Sequence, residues 1–145
     1  MTWEAKEPSA VRLPRGAQIF SRETRREAQG GWYRALFSQN FVRYRGNSLT
    51  VHELETHRAA PDFSQAEFHS DEELFFFTEG TSSMLLMELE GECPRLETAV
   101  RILLRPGDLL AVAAGTAHFI GPSLTESASC FVVAARDART GYVHF

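Results

Sequence analysis

The stretch AEFHSDEELFFFTEG, residues 66–80, sets three potential metal ligands, Glu67, His69 and Glu73, ahead of three consecutive phenylalanines and a glycine. In an extended chain, side chains alternate between faces. Glu67 and His69 therefore point one way on a first strand, and Glu73, Phe75 and Phe77 share a face of the next. Ser70-Asp71-Glu72 suits the bend between them. If the two strands are neighbours, an imidazole and two carboxylates converge on the inside of a barrel. On this spacing alone, a histidine near two acids is more often a surface feature than a metal site.

The chain around this stretch reads as short strands separated by turns. WYRALF and FVRYR are rich in aromatics, and Gly46-Asn47 is a turn signal. SLTVHELE follows with mixed faces. ELFFFT and SSMLLMELE are joined by Glu79-Gly80-Thr81, a tight connection. AVRILL stops at Pro106-Gly107, DLLAVAA at Gly115 and AHFIG at Gly121-Pro122; SASCFVVAA and GYVHF close the chain. LETAVRILL has helical propensity, but the Pro-Gly behind it and the rhythm of its neighbours favour a strand. Many short strands at this spacing predict an all-β sandwich or barrel. The one helical candidate is SRETRREAQ, residues 21–29, with Ser21 as cap and Gly30-Gly31 as stop. The expected organisation is an N-terminal tail and short helix over 1–30 and a single barrel domain over 31–145.

Composition narrows the function classes. A chain of 145 residues with 43% hydrophobic and 23% charged residues is one ordinary globular domain. A net charge of -4 does not suit a general nucleic-acid binder. Arg12, Arg15, Arg22, Arg25 and Arg26 give the N-terminal part a basic bias, read as a solvated face before an anion or subunit contact. Two cysteines make no disulfide framework: Cys130 sits in the apolar CFVVAA and Cys93 in a loop. MTWEAKEPSA is no signal peptide, and no run approaches the ~20 apolar residues that span a bilayer. A reducing cytoplasm is the expected compartment. There is no Gly-rich phosphate loop, no G-x-S-x-G elbow and no Cys/His nucleophile pair.

A further donor for the Glu67, His69, Glu73 group must come from elsewhere, and His118, at the start of the strand after Gly115, is the natural candidate. Imidazole and carboxylate together suit a divalent first-row ion: iron, nickel, manganese or zinc. His52, from LTVHELE, can face the same interior. His57 and His144 lie in a loop and at the C-terminus and are read as bland.

Two segments together carry a family resemblance. EFHSDEELFFFTEG resembles the first cupin motif, His-x-His, three residues, Glu, six residues, Gly, with His69, Glu73 and Gly80 at the matching spacing. GDLLAVAAGTAH, residues 107–118, resembles the second, with Gly107, Asp108, Gly115 and His118 in place. Within cupins the chain is similar to acireductone dioxygenase over roughly residues 66–120. The resemblance implies a double-stranded β-helix, jelly-roll-like, with Asp108 helping a turn. It also implies an ion, Fe(II) first, held by His69, Glu73 and His118.

Three departures bear on function. Glu67 replaces the family's first histidine, Phe75 its inward arginine, and Ala113 its second-motif proline. Glu67 is then a fourth ligand or a catalytic base, and Phe75, Phe77, Ile120 and His52 shape a pocket. The expected activity is a metal-dependent, acireductone-dioxygenase-like oxygenase taking O2 and a small organic substrate, in a homodimer. The alternatives are a non-oxidative isomerase, lyase or cyclase with Glu67 as base, or a non-catalytic small-molecule-binding cupin.

Overall fold

A computed structural model describes residues 25–38, 42–44, 47–59 and 63–145. Strands dominate: β1 (Arg25–Gln29), β2 (Tyr33–Ser38), β3 (Val42–Tyr44), β4 (Asn47–His57), β5 (Gln65–His69), β6 (Glu73–Glu79), β7 (Ser82–Met87), β8 (Leu89–Glu90), β9 (Cys93–Pro94), β10 (Val100–Leu104), β11 (Leu109–Val112), β12 (Ala117–Ile120), β13 (Ser127–Ala135) and β14 (Thr140–His144). A seven-stranded sheet runs β1-β2-β4-β13-β6-β11, with β3 also on β4, and a five-stranded sheet runs β10-β7-β12-β5-β14. From β5 to β7, and again from β10 to β14, the chain changes sheet at every connection. Two antiparallel layers result, facing each other as a jelly-roll-like barrel.

Alternation along each strand decides what the barrel encloses. β13 alternates half-buried and buried residues throughout, and Cys130 and Val132 fall on its buried face. They meet Phe75 and Phe77 of β6, Met84 of β7, Leu104 of β10 and Val112 of β11 in the main core. A second cluster, Ala66, Leu85, Met87, Ala117 and Val143, packs under Phe63, Phe68 and Phe119. It lies on the opposite face of the small sheet, because Ala66, Phe68, Ala117 and Phe119 alternate with Glu67, His69, His118 and Ile120. The small sheet is thus apolar on both sides, and its polar ligand-type residues stand out within the inner face.

Glu79-Gly80-Thr81 is a corner between sheets rather than a hairpin, since β6 and β7 lie in different layers. Gly80 has φ 65° there, and a Cβ would run into the Ser127 carbonyl, so both conformation and space require glycine. LETAVRILL divides into a 3-10 turn over Leu96–Thr98 and the strand β10. Asp108 does shape a turn: its carboxylate accepts the Arg105 N–H at 2.7 Å.

The helix expected over 21–29 is corrected for its second half. Arg25–Gln29 is strand β1, paired antiparallel with β2 through five residues; residues 21–24, and the tail before them, lie outside the described residues. Gly30-Gly31, read as a helix stop, instead turns a hairpin, in which the Gly30 N–H donates to the Tyr33 carbonyl at 2.9 Å. Ladder bonds to an existing sheet outweigh the modest propensity of a short polar helix. The hairpin spans the position at which the sequence divides tail from barrel. No helix of the described residues is long and apolar enough to cross a membrane.

Candidate metal centre

β5 ends and β6 begins at a corner between the two sheets, so His69 and Glu73 lie four residues apart on opposite layers. β12 pairs with β5 in the register His118↔Glu67, which sets their side chains side by side on the inner face. Gly115 ties the two motifs together, its N–H donating to the His69 carbonyl at 2.9 Å with φ 76°. The second motif's glycine therefore works through the first motif's histidine.

Glu67, His69 and His118 each bring a ligand atom within 4.8 Å of the others. Glu73 completes the ring: its Oε2 lies 3.0 Å from His118 Nε2 and 3.3 Å from His69 Nε2. His118 is 2% exposed and Glu73 8%. Glu67, His69 and His118 thus form the cluster of possible ligands, and Glu73 reaches it through the two imidazoles.

The ring nitrogens constrain what the cluster can hold. His118 Nδ1 faces the Thr116 carbonyl at 3.0 Å, and a carbonyl only accepts, so Nδ1 carries the hydrogen. In the neutral ring Nε2 is then a bare lone pair facing a carboxylate oxygen. A proton or a cation has to lie between them. His69 Nδ1 is 3.0 Å from the Thr140 hydroxyl, and its Nε2 is buried without a hydrogen-bond partner. The 3.3 Å approach to Glu73 is close enough for an ion pair but lacks hydrogen-bond geometry. An orphaned imidazole nitrogen aimed at a carboxylate and a second imidazole fits a divalent ion, which takes both nitrogens as lone-pair donors.

Electrostatics point the same way. Burial lifts the Glu67 carboxyl above its ordinary value, with Glu73 adding to the rise and His118 and His69 offsetting part of it. Burial works against a charged His118, yet its bonds to Glu73 and the Thr116 carbonyl, with the charges of Glu73 and Glu67, carry its pKa above the ordinary value. Two carboxylates close together call for positive charge, and the protonated histidine supplies it when no ion does.

A cavity of about 920 Å³ opens beside the cluster. Phe75, Ile120 and His52 line it; Phe77 does not, lying deeper among Met84, Cys130 and Val132. Phe75 stands edge-on to His118, with ring centroids 5.7 Å apart. His57 and His144 are not among the lining residues.

Three contributors went unseen in the sequence. Thr140 holds His69. Tyr142, opposite Glu67 in the β14–β5 register, is 62% exposed, and partial desolvation of its phenol together with the Glu67 charge pushes its pKa up. Trp32 lines the cavity from the turn before β2. Alternation in TGYVH puts Thr140 and Tyr142 on one face, but nothing local says which strand receives them.

No protein-family model and no curated protein matches the chain. Solved structures do. Hydroxypropylphosphonic acid epoxidase from S. wedmorenis superposes with a TM-score of 0.59 at 21% identity, over 88% of this chain and 63% of that one. The chain thus spans less than two thirds of the epoxidase's length. A vicilin from Capsicum annuum gives 0.61 at 15% identity, over 83% of this chain and 34% of the other. Drosophila melanogaster CENP-C gives 0.57 at 12%, over 79% and 82%. Proteins so different in name share an architecture and not an activity. Two antiparallel sheets closed on one another, with the ligand-type side chains gathered on the inner face, give the chain the cupin fold that the epoxidase and the vicilin also have.

Proposed function

We propose that the protein is a metal-dependent cupin enzyme acting on a small organic molecule bound in the cavity. His69, Glu73 and His118 hold the ion, and Glu67 is the fourth ligand or the base. The observation that carries this reading is the buried, unpartnered Nε2 of His69 pointing at Glu73. Two imidazoles and carboxylates suit iron, nickel, manganese or zinc. Fe(II) stands first, because the epoxidase has been solved as its Fe(II) form. A bound divalent ion supplies Lewis acidity and, where it is iron, oxygen chemistry.

The chain's own residues do the rest. Thr140 and the Thr116 carbonyl fix the two imidazole rings so that each Nε2 faces inward. Phe75 and Ile120 exclude water from the ligand side of the cavity. An acireductone-dioxygenase-like oxygenase is the favoured finer reading, resting on the sequence of residues 66–120. Glu67 supports a second reading: a carboxyl whose pKa is lifted by burial is suited to proton transfer, as in an isomerase, lyase or cyclase. Turnover without oxygen separates the two. The expected homodimer belongs to the same proposal, since β1 and β11 end one sheet and β10 and β14 the other.

The test is elemental analysis of protein purified without added metal and after reconstitution with Fe(II), for wild type and His118→Ala. About one ion per chain in wild type and little in the variant is the expected result. Full occupancy in His118→Ala, or none in reconstituted wild type, refutes the ligand assignment.

A further inference from the structure

We infer that Arg136 anchors the carboxylate of an organic acid at the mouth of the cavity, with the acid's apolar body running inward past the ligand cluster. The inference rests on the proposed site and deepens it by naming the substrate class. The placement of a guanidinium on the inward face of β13 carries it.

Cys130, Val132 and Ala134 are buried and form the inward set of β13. The Arg136 N–H donates to the Ser48 carbonyl at 2.8 Å, which extends the β13–β4 register one residue beyond Ala135↔Leu49. Alternation therefore puts Arg136 in the same inward set, and the residue lines the cavity. It is exposed where the other three are buried, so its guanidinium stands at the opening.

The other side of β13 fixes the height of Arg136 relative to the cluster. Val133 pairs with Leu74, so Glu73 stands beside Ala134, and Arg136 is two residues further out, about 7 Å along the strand. In the opposite direction Val132 forms one rung with His52 and Phe75, and Phe75 lies edge-on to His118 at 5.7 Å. From the opening inward, the wall passes from a guanidinium, through the small Ala134 beside the cluster, to a rung of Val132 and two rings. A molecule with an anionic head and an apolar body fits that order in one orientation.

The chemistry of the head group follows from the fork. A guanidinium offers five N–H donors in a plane and meets a carboxylate at two points, so a bond within the fold still leaves donors for a ligand. Glu67 and Glu73 do not oppose the anion when an ion is held, because their charges offset the ion's. Glu53 also lines the cavity, but it alternates with His52 and belongs to the outward set of β4. The apolar body is drawn in by burial against Val132, Phe75 and Ile120, which line the same cavity.

The experiment is calorimetric titration of the full chain, loaded with Zn(II) and again after chelation, with phenylacetate and separately with phenylacetamide, which keeps the shape and lacks the charge. Wild type should bind phenylacetate at least fivefold tighter than the amide. Arg136→Gln should abolish that preference while leaving the Kd of the amide within twofold. Arg136→Lys should keep part of the preference, since lysine retains the charge and loses the fork. No saturable binding of phenylacetate, a preference below fivefold in wild type, or a loss of acid and amide alike in Arg136→Gln overturns the inference. So does a preference that survives Arg136→Gln and vanishes on chelation, which would place the carboxylate on the metal. The two readings fail separately. An Arg136-dependent preference in a chain that takes up no metal keeps the anchor and removes the metal centre. Metal uptake with a preference indifferent to Arg136 does the reverse.

Discussion

Replacing Glu67 with glutamine keeps the shape of the site and removes one charge, and the structure gives that change two opposite consequences. In the metal-free protein Glu67 is a carboxylate lifted in pKa chiefly by burial and further by Glu73, with His118 and His69 offsetting part of the rise. Glutamine relieves both, so metal-free Glu67→Gln should melt above wild type at neutral pH. In the metal-loaded protein the sign reverses. Ligand atoms of Glu67, His69 and His118 lie within 4.8 Å of one another. An ion held among these atoms lies closer to Glu67 than that, so about 3.5 kcal/mol per unit charge, the Coulomb energy at such a separation and an effective dielectric of ~20, is a lower bound, and a divalent ion at least doubles it. Glutamine returns part of it, being cheaper to bury and still offering an oxygen. A net loss of about 3 kcal/mol remains, roughly a hundredfold in Kd.

Both arms are measured on one preparation: thermal melting of the chelator-treated protein, and competition for Fe(II) or Zn(II) against a chelating dye. If affinity stays within threefold of wild type and the metal-free variant melts lower, Glu67 is neither a ligand nor a strained carboxylate, and the reasoning is wrong. A variant that keeps its metal but loses turnover identifies Glu67 as the base.

Three other expectations follow from single contacts. Thr140→Val removes the hydroxyl at 3.0 Å from His69 Nδ1 and should weaken metal binding about tenfold, with Thr140→Ser restoring it; dye competition reads this. His118 has its pKa raised above 6.5, so metal uptake must displace a proton, and affinity should fall as pH drops through the raised value; calorimetry in buffers of different ionisation enthalpy counts the protons. Burial pushes the Cys130 thiol up to about 12 whereas Cys93 is exposed, so a thiol reagent at mildly alkaline pH should modify Cys93 alone until the protein is unfolded.

What the sequence could disclose is divided by distance along the chain. His69, the bend after it and Glu73 are local, and strand alternation is enough to aim them. Gly80 and Asp108 are local too, each defined by the turn it makes. His118 is 45 positions from Glu73 and was legible only because a second motif repeats the pairing of a turn glycine with a histidine. Where no such motif exists, the chain is silent: Thr140 stands 71 positions from His69, and which residue faces which is decided when β14 closes against β5. Alternation gives the face but leaves the register open, and a slip of one residue would exchange Thr140 for Gly141. β1 fails for the same reason from the other side. RREAQ carries no apolar alternation, so its local pattern names neither state, and pairing with β2 makes it a strand. The barrel's ligand corner is therefore readable where turns and ligands coincide, and the cavity's other walls, Trp32, Phe37 and Tyr142, become visible only once the sheets have met.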